Sequence, residues 1–318
     1  MSSQTTVTKF LLLVFSDVPE LQILHVVMFL VIYLATLIGN LLIITAVALD
    51  PHLHTPMYFF LINMSILDLG SISVLVTKST ANSLLNTKSI SYAGRIAQVF
   101  LFVFFAAANI TLLTVMAYDR YITICQPLDY DRVMNRDACV QMAASAWITG
   151  IVYSALHTGN IFRLPFYQLN VINQFFCEIP QLLKLACSDS HLSEVGILGF
   201  SACLILSCFA LIIASYVHIF MTVLRIPSEQ GQCKVFFTCL PHLTVVSLLF
   251  CTGIFAHLKP TSSSASRMDL VMAVLYSVVP PTMNPVIYSL TKKEIKAALR
   301  RLNVWTLFTK NNIFVFFS

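Results

Sequence analysis

The stretch IAQVFLFVFFAAANITLLTVMAYDRYITIC, residues 96–125, decides how the rest of the chain is read. A helix needs about 20 apolar residues to cross a bilayer core ~30 Å thick, and this run exceeds that. Positions 102, 106, 109, 113, 116 and 120 advance by threes and fours, which places Phe102, Ala106, Asn109, Leu113, Met116 and Arg120 on one helix face. That seam starts at an aromatic ring, passes a polar centre and ends on an arginine. Asp119, Arg120 and Tyr121 close the run, where the arginine can pair with Asp119 in one state and meet a partner protein in another.

Composition extends the reading to the whole chain. Its 318 residues are 58% hydrophobic and only 10% charged, with a mean hydropathy of +0.82. A soluble domain carries about 25% charged residues to cover its surface, so most of this surface faces lipid. The net charge of +5 is scattered, which argues against nucleic acid as a partner. Further apolar runs fall at 24–49, 57–79, 140–160, 195–225, 235–258 and 270–290, giving seven spans with polar breaks between them. The first run starts near Leu21 behind a polar segment and is long enough to stay in the membrane instead of being removed as a leader. Neither a repeat nor similarity between the halves is evident, which argues against a repeat-built transporter.

Seven spans put the termini on opposite sides, and basic residues choose between the two orientations. With the N-terminus outside, eleven Lys and Arg fall on the inner side and eight on the outer. Lys292 to Arg301 cluster directly after the last span. Ile295, Ala298, Leu299 and Leu302 share one side of that segment, which reads as a short amphipathic helix at the lipid surface. The expected fold is an all-α seven-transmembrane bundle spanning 24–290. An extracellular segment (1–23) precedes it, and a cytoplasmic helix and tail (291–318) follow.

Ionisable side chains inside spans are costly and mark function by default. Asp68 lies mid-span, and Asn40, Asn109 and Asn284 are the polar neighbours within its reach, although such amides also serve simply to join helices. The last span contains VVPPTMNPVIY, residues 278–288, with Asn284, Pro285 and Tyr288. Pro285 removes a helix hydrogen bond, and a helix weakened beside a polar cluster supports two packings. The same proline also fits a static kink.

Four stretches carry a family resemblance in order and spacing: LHTPMYFFLINMSILDL, MAYDRYITICQPL, KVFFTCLPHLTVVSLLF and PPTMNPVIYSLTKKEIKAAL. Together they resemble the rhodopsin-like G-protein-coupled receptors, and specifically the vertebrate olfactory receptors, from about residue 8 to 302. The resemblance implies a pocket for a small-molecule odorant lined by Phe102, Val103, Ala106, Ala107 and Ile110. Phe250, Ile254, Tyr276, Cys203 and Ser207 complete the implied lining. It further implies coupling to the stimulatory olfactory G protein through the region of Asp119, Arg120 and Tyr121, with Asn284, Pro285 and Tyr288 in the switch. Cyclic AMP would be the product signal, and the plasma membrane of olfactory cilia the location. No cofactor is implied, and membrane lipid is the surrounding partner.

Several positions depart from the family pattern. Arg95 stands where the family usually has the cysteine tied to Cys177, and Tyr167 where it has the partner of Cys187. Those two cysteines either pair with each other or stay free. A bridge closing so short a loop stabilises its local fold by about 3 kcal/mol in the chain-entropy model. Asn109 replaces a glutamate and Phe250 a tyrosine, while the N-terminal glycosylation sequon is absent. The sequons at Asn63 and Asn109 lie inside predicted spans, out of reach of the modifying enzyme. Gln174 replaces a histidine, which leaves Cys177 and Glu178 a thin metal ligand set.

The scattered histidines form no nucleophile–base set, so an enzyme is not expected. Two alternatives to a signalling receptor remain at this level. One is a receptor-shaped protein that folds poorly or fails to signal for want of its bridges. The other is a transporter or channel, which would need a continuous polar pathway.

Overall fold

The computed structural model describes residues 9–12, 19–84, 89–163, 171–172, 191–258 and 278–288, and after them 295, 297, 298, 300 and 301. With no water in a bilayer core, each backbone N–H and C=O must pair within its own segment, and long helices are the result. They are α1 (Pro19–Leu49), α2 (Pro56–Leu84), α3 (Tyr92–Cys125), α4 (Arg136–Arg163), α5 (His191–Val223) and α6 (Glu229–Leu258). All six are long and apolar enough to cross a membrane. α7 is helical over 278–288, inside the seventh apolar run. The chain is an α-helical, multi-pass membrane protein with the seven-helix architecture.

α3 is the hub. It packs on α2, α4, α5 and α6, and its buried residues circle the helix, from Val99, Val103 and Phe104 to Leu112, Met116 and Ile122. α5 is peripheral. Its buried residues Ser201, Cys208, Ile212, Ile219 and Val223 recur at spacings of seven and four, a single narrow stripe. Its remaining surface shows Leu206, Phe209, Leu211, Val217 and Phe220, the outward apolar face expected of a helix in lipid.

α7 joins the bundle through α1, and Pro285 shows why. A proline at 285 has no N–H to offer the carbonyl of Pro281 four residues earlier. Asn40 of α1 donates its Nδ2 to that carbonyl at 3.3 Å and to the Thr36 carbonyl at 3.0 Å. The hydroxyls of Thr36 and Thr282 sit 2.8 Å apart beside it. A Cβ on Gly39 would lie 3.0 Å from the Pro285 ring, so the absence of a side chain there lets the two helices close.

The ends of the bundle differ. At one end, strands β1 (Lys9–Leu12), β2 (Ser89–Ser91) and β3 (Val171–Ile172) form a sheet in the order β2-β1-β3. β1 runs antiparallel to β2, with Phe10 opposite Ile90, and parallel to β3, with Leu11 opposite Val171. This small sheet is an addition to the all-helical expectation, and β2 leads directly into α3. At the other end, Ile295 and Ala298 are buried while Arg300 and Arg301 are exposed, the two-sided pattern expected after the last span. Arg301 Nη1 meets Asp50 Oδ2 at 3.0 Å.

Candidate functional site

A cavity of ≈ 410 Å³ lies at the centre of the bundle, bordered by α2 to α7. Six of the sequence-derived candidates line it: Phe102, Val103, Ala106, Ala107, Ile110 and Phe250. Ala106, exposed on an otherwise inward seam, is open to this space. Met64, Leu204, Ile205, Val245 and Leu249 extend the apolar wall. Phe250, lacking the hydroxyl of the family's tyrosine, packs its ring 5.0 Å from Phe209 of α5.

Cys203 and Ser207 are not part of that lining. Both are exposed on α5, away from its buried stripe, and Leu204 and Ile205 take the cavity side instead. Ser207 spends its hydroxyl on the Cys203 carbonyl of its own helix at 2.6 Å. Tyr276, Cys177, Cys187 and Tyr167 lie outside the described residues, as do the side chains of Ile254 and Arg95. Among the described residues, Cys125, Cys139, Cys203, Cys208, Cys233, Cys239 and Cys251 form no disulfide.

The cavity floor is polar. Asp68 is 1% exposed and its carboxylate accepts Nδ2 of Asn284 at 2.8 Å and Nδ2 of Asn109 at 3.5 Å. Three elements, α2, α3 and α7, therefore meet on one buried acid. Asn40, expected in the same cluster, bonds instead to the carbonyl that Pro285 leaves free. The side-chain oxygens of Asn109 and Asn284, and the hydroxyl of Tyr288, are buried without hydrogen-bond partners among the described residues.

Below that floor, toward the Arg120 end, a second polar set ties three helices together. His242 of α6 sits 3.0 Å through Nε2 from the Leu113 carbonyl of α3. A carbonyl only accepts, so in the neutral ring Nε2 carries the proton and Nδ1 is the acceptor. The Tyr216 hydroxyl of α5 donates to that Nδ1 at 2.7 Å. Pro241 precedes His242 inside α6 and removes a backbone bond at that point. Tyr216 and His242 were absent from the sequence-derived site, although a histidine in mid-span is itself a signal.

At the end of α3, Asp119 and Arg120 are buried, at 2% and 6% exposed. The guanidinium of Arg120 contacts the Met57 sulfur of α2. Asp119 Oδ1 accepts the hydroxyl of Tyr130 at 3.0 Å, in the one-turn helix Tyr130–Val133 that follows α3. Burial first, and then the Asp119 charge, push the Tyr130 phenol well above its usual range, so it stays protonated and donates. Tyr121 points along α3 toward α5, its ring 5.6 Å from His218, and Gln126 donates to its hydroxyl at 3.1 Å. Cys125 and Thr222 make a further α3–α5 contact at 3.3 Å.

These features, a central apolar cavity above a buried acid and an arginine at the end of the hub helix, agree with the comparisons. A family profile described as olfactory receptor matches residues 29–305. Human olfactory receptor 14I1 is 52% identical over 310 residues, covering 98% of each chain. Human olfactory receptor 14C36 is 48% identical over 311 residues, covering 98% of this chain and all of the relative. Human olfactory receptor 14A16 is 49% identical over 302 residues, covering 95% and 97% of the two. The chain belongs to the olfactory receptor family, and so to the odorant-binding, G-protein-coupled receptors and not to an enzyme family.

Proposed function

We propose that this receptor holds a small hydrophobic odorant in the central cavity and activates the stimulatory olfactory G protein, raising cyclic AMP. The observation that carries the reading is Leu113. Its side chain lines the cavity, while its carbonyl receives His242. A ligand resting on Leu113, Val245, Leu249 and Phe250 thus touches α3 and α6 directly above the bond that joins them. An odorant that fits better when α6 has moved shifts the population by that difference in affinity. Pro241 gives α6 a weakened point at which to bend, and release from Tyr216 and His242 frees the Arg120 end for the G protein.

The mainly apolar wall suits ligands held by shape and burial, with Asp68, Asn109 and Asn284 reserved for helix–helix contacts. In this reading the chain sits in the plasma membrane of olfactory cilia with its N-terminus outside and the Arg120 end in the cytoplasm.

The test is odorant-evoked cyclic AMP with parallel surface staining in cells. The native chain should respond to at least one small apolar odorant. Ala106→Trp, which fills the cavity, should abolish the response with surface staining intact, and Arg120→Ala should abolish coupling. A second chain carrying Arg95→Cys and Tyr167→Cys separates the remaining reading, failure for want of bridges. If only that chain signals, the native receptor is signalling-incompetent. If both reach the surface and no odorant activates either, the proposal fails.

A further inference from the structure

The wall of the central cavity is uneven in polarity, and the unevenness has a direction. The described residues that line it from α5 and α6 are all apolar: Leu204, Ile205, Val245, Leu249 and Phe250. On α2, Met64, Asp68 and Ser71 border the same space, and their spacing of four and three puts them on one helix face. Asp68 is sealed at 1% exposed. Ser71, one turn farther from the Arg120 end, is only half-buried.

The other polar groups of the lining are spent or closed off. Asn109 and Asn284 turn Nδ2 to Asp68, and their oxygens are buried. Thr111 donates its hydroxyl to the Ala107 carbonyl at 2.9 Å, and Tyr153 donates to Ser201 of α5 at 2.7 Å. A hydroxyl inside a helix commonly bonds the carbonyl four residues back, as those of Thr36, Thr114, Ser207 and Ser215 do here. The Ser71 hydroxyl makes no hydrogen bond among the described residues, and it is not sealed from the space it borders. Ser71 is thus the polar side chain of the lining that is both open and uncommitted.

Taking the central cavity as the odorant site, we propose that Ser71 sets the chemical class of the odorant. It selects a small ketone or aldehyde whose carbonyl oxygen accepts the Ser71 hydroxyl and whose apolar body lies against Leu249 and Phe250. Two hydroxyls that meet make one hydrogen bond and leave a proton without an acceptor, which is costly in an apolar space. A carbonyl needs one donor and brings no proton of its own. The carbonyl compound is therefore held better than the alcohol of the same skeleton. The bare hydrocarbon forgoes the bond and buries Ser71 unpaired.

The experiment uses the purified full-length chain and two matched probe sets: octanal, octanol and octane, and menthone, menthol and menthane. Affinity is read from the rise in melting temperature with probe concentration, which needs no signalling. In at least one set the carbonyl compound should bind the native chain more tightly than its alcohol or hydrocarbon. Ser71→Ala removes only an uncommitted hydroxyl, so the variant without probe should melt like the native chain. It should weaken the carbonyl compound about fivefold, the value of one neutral hydrogen bond, and leave the hydrocarbon unchanged. Ala106→Trp, which fills the cavity, should abolish binding of every probe. A carbonyl preference that survives Ser71→Ala while Ala106→Trp blocks binding overturns selection by Ser71 and leaves the cavity as the odorant site. Binding that survives Ala106→Trp removes the cavity itself from that role. Alcohols that bind more tightly than their carbonyl partners, or a native chain that binds neither octanal nor menthone, also overturn the proposal.

Discussion

At the sheet end of the bundle, β1 ties β2 and β3 together through backbone pairing. At the Arg120 end, individual side-chain bonds converge on α3: Tyr130 on Asp119, and Tyr216 on His242 and so on Leu113. Backbone pairs in a sheet form and break as a set. Single side-chain bonds are worth about 1 kcal/mol each and exchange one at a time. The contrast suits a receptor that keeps one end in shape and opens the other. It also bears on Arg95. Where the family pattern would hold the loop after α4 to α3 by a disulfide, β3 of that loop reaches α3 through β1 and β2.

The largest effect should come from the residue between the two ends. Asp68→Leu removes the carboxylate and leaves the Nδ2 groups of Asn109 and Asn284 buried without acceptors. Each orphaned donor costs about 1–3 kcal/mol. The purified variant should therefore melt well below the native chain in a thermal-shift assay, and α2, α3 and α7 should loosen together. Asp68→Asn, which keeps an acceptor oxygen, should lose less. Equal losses in the two variants would mean the amides do not depend on that acid.

Next comes the sheet. Leu11 faces Ser89 on one side and Val171 on the other. Leu11→Pro disrupts the pairing of the central strand, a loss of about 1–3 kcal/mol if one or two ladder bonds go unmade. Arg95→Cys restores one half of the usual bridge, and a disulfide stabilises by about 2–4 kcal/mol. Surface expression should fall in Leu11→Pro and return when Arg95→Cys is added. If Leu11→Pro traffics normally, the sheet does not replace the bridge, and the contrast between the ends collapses.

How far the sequence leads can be judged residue by residue. The spans were legible because a bilayer permits little besides long apolar helices; 96–125, for instance, sits inside Tyr92–Cys125. The α3 seam was legible because threes and fours fix a face. The rotation of α5 was not. Placing Cys203 and Ser207 in the lining relied on resemblance, while the buried stripe from Ser201 to Val223 turns Leu204 and Ile205 inward. Asn40 was assigned to Asp68 on polarity alone. The free carbonyl that it satisfies follows from Pro285, but only once α1 and α7 are known to be neighbours. KFLL is too short to show a strand period, and its partners lie about 80 and 160 residues away.

A smaller effect is expected at the α5–α6 latch. Tyr216→Phe deletes the hydroxyl that binds His242 and leaves the ring in place. A loss of about 1 kcal/mol shifts a two-state equilibrium roughly fivefold. Basal cyclic AMP should rise by up to that factor with surface staining unchanged. A fall in basal signal would assign the bond to the open packing instead of the closed one.

The smallest effect, that of Arg301→Ala, belongs to one of two bonds that Asp50 makes at the Arg120 end. Asp50 receives Arg301 through Oδ2 and the backbone N–H of His52 through Oδ1, the latter at 3.1 Å. Arg301 is 63% exposed against 11% for Asp50, and an ion pair open to water contributes about 0.2–1 kcal/mol, less as salt rises. The bond to His52 caps the turn Pro51–Leu53, and losing such a cap costs about 1 kcal/mol. Asp50→Ala should therefore destabilise the receptor more than Arg301→Ala. Raising the salt concentration should shrink the cost of Arg301→Ala while leaving most of the cost of Asp50→Ala. Equal, salt-sensitive losses would show that the ion pair, and not the cap, holds this corner, making it one more exchangeable side-chain latch.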